Sequence, residues 1–162
     1  MAKVKQAIDK IRVILRDTGA RLYSDYELIN YLNDAMDTLA VELIAESDDS
    51  MIKHGEFQDG DKLPDELVEF IGQYPFRLEW DTIRIDREPQ INARYWAKFP
   101  LVHNLTDDLP YRPVYAMAVC QLAGLYALGR EGQGANNTEA INTVKANILQ
   151  IRRKLRAMPP TD

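Results

Sequence analysis

The sequence predicts a mainly α fold, a helical bundle of about four helices with an inserted antiparallel β-hairpin. Three observations predict it. Apolar residues recur at helical spacing through the first 47 residues, the period changes to two between residues 76 and 99, and helical spacing returns from residue 114 onward. The helical core is expected at 1–47 and 110–157 and the loop and β insertion at 48–109, all in one domain of 162 residues. A chain of that length can bury on the order of 70% of its unfolded surface, enough for one core.

The elements follow in order. Val4, Ile8, Ile11 and Leu15 share one stripe of a first helix ending near Thr18 and Gly19, with Lys5, Arg12 and Arg16 on its wetter side. Ser24 and Glu27 have the spacing of a capping box, and Leu28, Leu32, Ala35, Leu39 and Leu43 form the buried stripe of a long second helix. That helix is expected to end near Glu46, because Ser47, Asp48, Asp49 and Ser50 have side chains that compete for backbone hydrogen bonds and favour turns. Residues 51–63 read as a loop with one short strand. Pro64 then stands in the first turn of a helix of one or two turns carrying Leu67, Phe70 and Ile71.

Two strands follow. Phe76, Leu78 and Trp80 alternate with polar residues, as do Ile91, Ala93, Tyr95, Ala97 and Phe99, and the polar residues 87–90 between them make a hairpin the economical connection. A bulge or break is expected near Asp81 and Thr82. A proline-bearing stretch, 105–113, leads into a third helix from about Val114 to Leu128, apolar around most of its circumference. Ala116, Ala123, Gly124 and Ala127 permit close approach of a neighbouring helix. The glycines at 129, 132 and 134 interrupt the pattern. A fourth helix starts near Asn136 or Asn137, carries Ile141, Val144, Ile148, Ile151 and Leu155, and stops at Pro159 and Pro160.

Composition excludes several classes of function. With 46% hydrophobic and 28% charged residues the chain lies in the globular range, so wholesale disorder and a coiled-coil rod are not expected. A single cysteine, Cys120, closes no intrachain disulfide and builds no thiolate zinc site. Neither secretion nor membrane insertion is expected, for want of a long apolar run. The net charge of -5 argues against a general DNA-binding protein, but its distribution is uneven: residues 17–86 carry -13, whereas 1–16 and 87–162 each carry +4. A unit so polarised suits contact between unlike surfaces. The same charges also serve simply to solvate outer helix faces.

Chemistry-bearing residues are few. His54 in a glycine-containing loop and His103 in the approach to the third helix lack metal-ligand spacing, so no metal site and no cofactor are expected. Cys120 sits on the most apolar helix, where desolvation suppresses the thiolate. The carboxylate pairs Asp48–Asp49, Asp107–Asp108 and Glu66–Glu69 have the residue types of an acid–base hydrolase, and equally those of turns and caps. The glycine run at 129–134 lacks the Lys-Ser or Lys-Thr of a phosphate loop. One basic patch remains. Lys145, Arg152, Arg153, Lys154 and Arg156 load the last helix, with the three arginines read as close together on its wet side. They are candidates for phosphate or protein contact. Cations near a helix carboxyl end also stabilise its dipole, by roughly 0.3–1 kcal/mol each.

Residues 23–35, Tyr-Ser-Asp-Tyr-Glu-Leu-Ile-Asn-Tyr-Leu-Asn-Asp-Ala, resemble the second-helix signature of the head-tail connector (adaptor, or head-completion) proteins of tailed bacteriophages. Residues 62–66, the hairpin with its aromatic strand, Leu109-Pro110 and the small-residue third helix resemble that family's other landmarks, over roughly residues 5–130. The resemblance implies a single head-tail adaptor domain in a virion component, made in the host cytoplasm and placed at the head-tail interface. It implies a homo-oligomeric ring, commonly of twelve subunits, between the portal protein and a tail tube or tail hub protein. Such a ring extends the channel through which genome DNA passes, without sequence-specific binding, and involves no membrane. It implies no catalytic residue. The short tail after the fourth helix departs from many relatives, which makes that helix the candidate for portal docking. Two other readings compete: a small helical nucleic-acid-binding protein using the basic last helix, and a wall-degrading hydrolase using a carboxylate pair.

Overall fold

A computed structural model describes residues 2–130 and 137–157. The expectations for the glycines at 132 and 134, a cap at Asn136 and a stop at Pro159 and Pro160 lie outside them. Four helices, α1 (Val4–Leu15), α2 (Asp25–Ala45), α3 (Ala116–Leu128) and α4 (Asn137–Ala157), flank five strands, β1 (Ile52–Phe57), β2 (Leu67–Ile71), β3 (Arg77–Glu79), β4 (Thr82–Arg84) and β5 (Ile91–Ala97). Every strand pairing is antiparallel. The predicted fold class is the observed one, a helical fold with an antiparallel β insertion.

The chain divides into two compact units. One combines Met1–Glu42 with Phe99–Asp162, and the other is Leu43–Lys98. Residues 99–109, grouped with the insertion in the sequence reading, therefore belong with the helices, for a local reason. The first amides of a helix have no partner inside it. Here the Val4 N–H donates to Asp107 O (2.9 Å) and the Lys5 N–H to Leu105 O (3.0 Å), so the approach to α3 caps α1. The Asn33 side chain ties the same stretch to α2 by exchanging two 2.9 Å hydrogen bonds with the Val102 backbone.

Within the helical unit the predicted stripes are buried: Val4, Ile8, Ile11 and Leu15 on α1, and Leu28, Leu32, Ala35 and Leu39 on α2. The Ser24–Glu27 capping box forms, with the Glu27 N–H donating to Ser24 Oγ (3.1 Å) and the Ser24 N–H to Glu27 Oε1 (3.3 Å). Two details of α1 differ from expectation. It ends at Leu15, where Arg16 turns into the left-handed region (φ 57°), rather than near Thr18 and Gly19. Arg12, expected on the wetter side, is only 6% exposed. Helix α3 packs on both α1 and α4. A methyl group on Gly124 would stand 3.0 Å from Ile14 Cγ2, so this glycine sets how closely α1 and α3 approach.

In the insertion, α2 gives way at Ser47 (φ 56°), and Asp48 accepts hydrogen bonds from the Ser50 N–H (2.9 Å) and Oγ (2.6 Å). Strand β5 is central in the sheet β1-β5-β2, while β3 and β4 form a separate hairpin. This corrects two expectations. The segment after Pro64 is a strand, not a short helix. The Leu67 N–H donates to Pro64 O in a turn, and the register against β5 shifts between Leu67 and Glu69. That irregularity resets the alternation, so Leu67 and Phe70, three apart, both pack on the same apolar cluster and imitate helical spacing. Secondly, β3 does not pair with β5. It reverses through Trp80 and Asp81 onto β4, with Glu79 opposite Thr82, so the break near Asp81 is a turn. On β5, Ile91, Ala93, Tyr95 and Ala97 are buried as the alternation predicted, but the strand stops before Phe99. The insertion's core joins buried aliphatic residues, Ile83, Ile85 and Ile91 among them, to a set of packed rings. The Phe70 ring lies 5.0 Å from Phe76, 5.8 Å from Phe57 and 6.2 Å from Tyr95, in the edge-on arrangements that ring quadrupoles favour.

Candidate functional site

The most polar interior group lies where α1 hands over to α2. Arg12 Nη1 donates to Asp17 Oδ2 (3.0 Å) and Tyr23 O (2.9 Å), and its Nη2 donates to Asp25 Oδ1 (2.7 Å). Asp17 also accepts the backbone N–H groups of Arg21, Leu22 and Tyr23 at 2.9–3.1 Å. Desolvation alone would raise the Asp17 carboxyl. The three amides and the guanidinium outweigh it and hold the group below its ordinary value. Each buried charge is paired and hydrogen-bonded, so the cluster is a staple that terminates α1 and aims α2. Close by, Arg130 lies 4.2 Å over the Tyr23 ring and pairs with Glu27, which makes the capping residue a tie to the end of α3 as well.

The basic patch on α4 is smaller than its sequence suggests. Arg152 is buried, a correction to its placement on the wet side: it lies four residues beyond Ile148 and so extends the stripe of Val144 and Ile148. Lys145 Nζ lies 3.8 Å from Glu42 Oε1 of α2. Arg153, Lys154 and Arg156 remain exposed near the helix end.

The other candidates are dispersed. His54 lies on β1 opposite Arg94, not in a loop. The His103 and Asn104 backbone N–H groups donate to the Asp107 carboxylate at 2.8 and 2.9 Å, and these bonds hold that carboxyl low. Asp108 pairs with Lys3 (2.6 Å) and Glu66 with Lys53 (3.3 Å), so members of all three carboxylate pairs act in turns or ion pairs. Cys120 is buried, with burial pushing its thiol up to about 11, and its Sγ sits 3.8 Å from Ala7 O. Among the described residues no three or more His, Cys, Asp or Glu side chains converge as a metal site.

What the tertiary structure adds is shape and apolar surface. A partly open cavity of about 330 Å³ lies between α1, the approach to α3 and α3 itself, walled by Ala7, Leu109, Pro113 and Ala116. Tyr111 and Cys120 also line it, and Lys10 stands exposed beside it. The Tyr111 hydroxyl is buried without a hydrogen-bond partner among the described residues, and burial raises its pKa strongly. Large apolar side chains remain on the surface of the same unit, among them Val13, Leu22, Val41 and Met117, each more than half exposed. The apolar circumference of α3 signalled Met117 in the sequence, and nothing there signalled Val13, Leu22 or Val41. The cavity had no signal either, because its walls come from segments about a hundred residues apart. No protein-family model matches the chain, and neither does any of the curated proteins compared with it.

Proposed function

We propose that this chain is a structural virion protein whose copies form a ring joining the portal vertex to the tail and extending the DNA channel. The likeness of residues 23–35 to the connector signature suggests the family. The observation that carries the reading is physical: the helical unit buries a core of its own, Ile11, Leu32, Leu39 and Leu122 included, yet keeps Val13, Leu22, Val41 and Met117 on its surface. A ring consumes such surface, because in head-to-tail contacts one patch of each subunit meets a different patch of the next.

Charge supports the same reading. The insertion Leu43–Lys98 has 13 acidic and 7 basic residues, a net of -6, against +1 for the remainder of the chain. An acidic surface facing a channel repels DNA and lets it slide. The exposed cations Arg153, Lys154 and Arg156 are the portal or phosphate contacts on this reading. With Arg152 buried and Lys145 beside Glu42, the alternative of a nucleic-acid-binding module keeps a smaller patch.

The test is co-sedimentation with portal protein, followed by imaging of the neck of assembled particles. The chain is expected to travel with portal as a ring and to occupy the position between portal and tail tube or hub. Failure to bind either component overturns the reading.

A further inference from the structure

We propose that Trp80 of one copy seats in the cavity between α1 and α3 of a second copy, a knob-and-socket contact between unlike surfaces of the same chain.

The knob is Trp80. It is the first residue of the two-residue turn between β3 and β4, and its backbone is left-handed (φ 59°). Glycine is the favoured residue at a positive-φ position of such a turn, and a bulky side chain there is strained. This one is also 98% exposed, so no contact among the described residues compensates for the strain or for a hydrated indole. Tryptophan buries about 150–250 Å² when covered and is the residue most enriched at the centres of protein interfaces.

The socket matches in size, polarity and charge. At about 330 Å³ the cavity is roughly twice the ~150 Å³ of an engineered apolar cavity that takes up benzene, so an indole fits. Its walls are mainly apolar. They include Ala7, Leu109, Pro113 and Ala116, which suit the flat apolar face of an indole. Asp81 follows Trp80 directly and makes no ion pair among the described residues. Lys10 borders the socket and makes none either. Docking the turn brings these two unpaired charges of opposite sign to the same rim. Because knob and socket are different surfaces, the contact repeats head to tail, as a ring requires. The inference rests on the ring reading only for closure.

The full-length chain carrying Trp80→benzoylphenylalanine, mixed as light and heavy isotopic forms at millimolar concentration, tests it directly. The expected result is photocrosslinks from position 80 of one form to cavity residues of the other. Crosslinks confined to one chain, landing outside the cavity or absent altogether overturn the proposal. In sedimentation, Trp80→Ala is expected to weaken self-association by at least about 30-fold. Lys10→Glu and Asp81→Lys should each weaken it, and the double reversal should restore it. Association indifferent to Trp80, or no restoration in the double variant, also overturns it. Socket-dependent association in a chain that ignores portal sinks the virion reading alone. Portal binding with Trp80-independent association sinks the socket alone.

Discussion

The two units solve the problem of folding with different materials. The helical unit buries aliphatic stripes together with charged groups, Arg152 on α4 and the cluster built on Arg12 and Asp17. The insertion has short strands and adds to its buried Ile83, Ile85 and Ile91 a set of packed rings, Phe57, Phe70, Tyr74, Phe76 and Tyr95, of a kind the helical core does not use to the same degree. A small unit has little volume per unit surface, and aromatic side chains bury the most apolar area per residue. The larger unit can accommodate a buried guanidinium because it has the chain length to surround it with partners. Substitutions should therefore act differently in the two: loss of a charge partner dominates in the helices, and loss of space dominates in the insertion.

The largest effect is expected at Arg12. Arg12→Met leaves Asp17 buried without its cation, and breaking one side of a buried pair costs about 3–5 kcal/mol. Denaturant unfolding followed by far-UV circular dichroism reads this loss; an unchanged midpoint would remove the staple from the comparison. The same cluster predicts an acid limb. Asp17 has a lowered folded-state pKa, so its contribution is fully present above the unfolded value near 3.8 and disappears as pH falls through the lower folded value. Asp17→Asn should flatten that limb in thermal melts taken at falling pH.

Next come two glycines that sharpen the contrast. A Cβ on Gly55 would lie 2.8 Å from Phe57 Cζ and 3.2 Å from Tyr95 Cε1, inside the aromatic core. Gly55→Ala should cost about 1–3 kcal/mol, the range for overpacking, and a tyrosine-resolved melt of the insertion reads it. The cap of α2 is worth less, with Ser24→Ala expected to lower stability by about 1 kcal/mol in the same unfolding experiment. Gly124→Ala is expected to be smallest. Its methyl meets Ile14, a partly exposed side chain able to give way, and the gain of about 1 kcal/mol in helix propensity offsets the crowding. A loss at Gly124 as large as that at Gly55 would show that the helices pack with no more tolerance than the rings.

Much of this architecture is legible in the sequence. The α1 and α2 stripes, the capping box, the apolar α3 and the inward face of β5 follow from spacing alone, because local backbone geometry dictates which side chains share a face. The errors are equally informative. At Leu67 and Phe70 a bulge wrote helical spacing into a strand, and around Trp80 one alternating run concealed a turn. Arg12 and Arg152 were read as wet because they are charged, although their positions place each on or beside an apolar stripe. Of the candidate site, the basic residues and the apolar α3 that carries Met117 were visible, but the exposure of Val13, Leu22 and Val41 and the cavity were not.

Sequence alone determined the four helices, the apolar stripes of α1 and α2 and the inward face of the central strand, since these depend on neighbours three, four or two residues away. Only the tertiary structure decided which strands pair, which arginines are buried, and where a cavity opens. Those outcomes depend on segments far apart in the chain, such as Ala7 and Cys120, meeting in space, and no local period encodes that meeting.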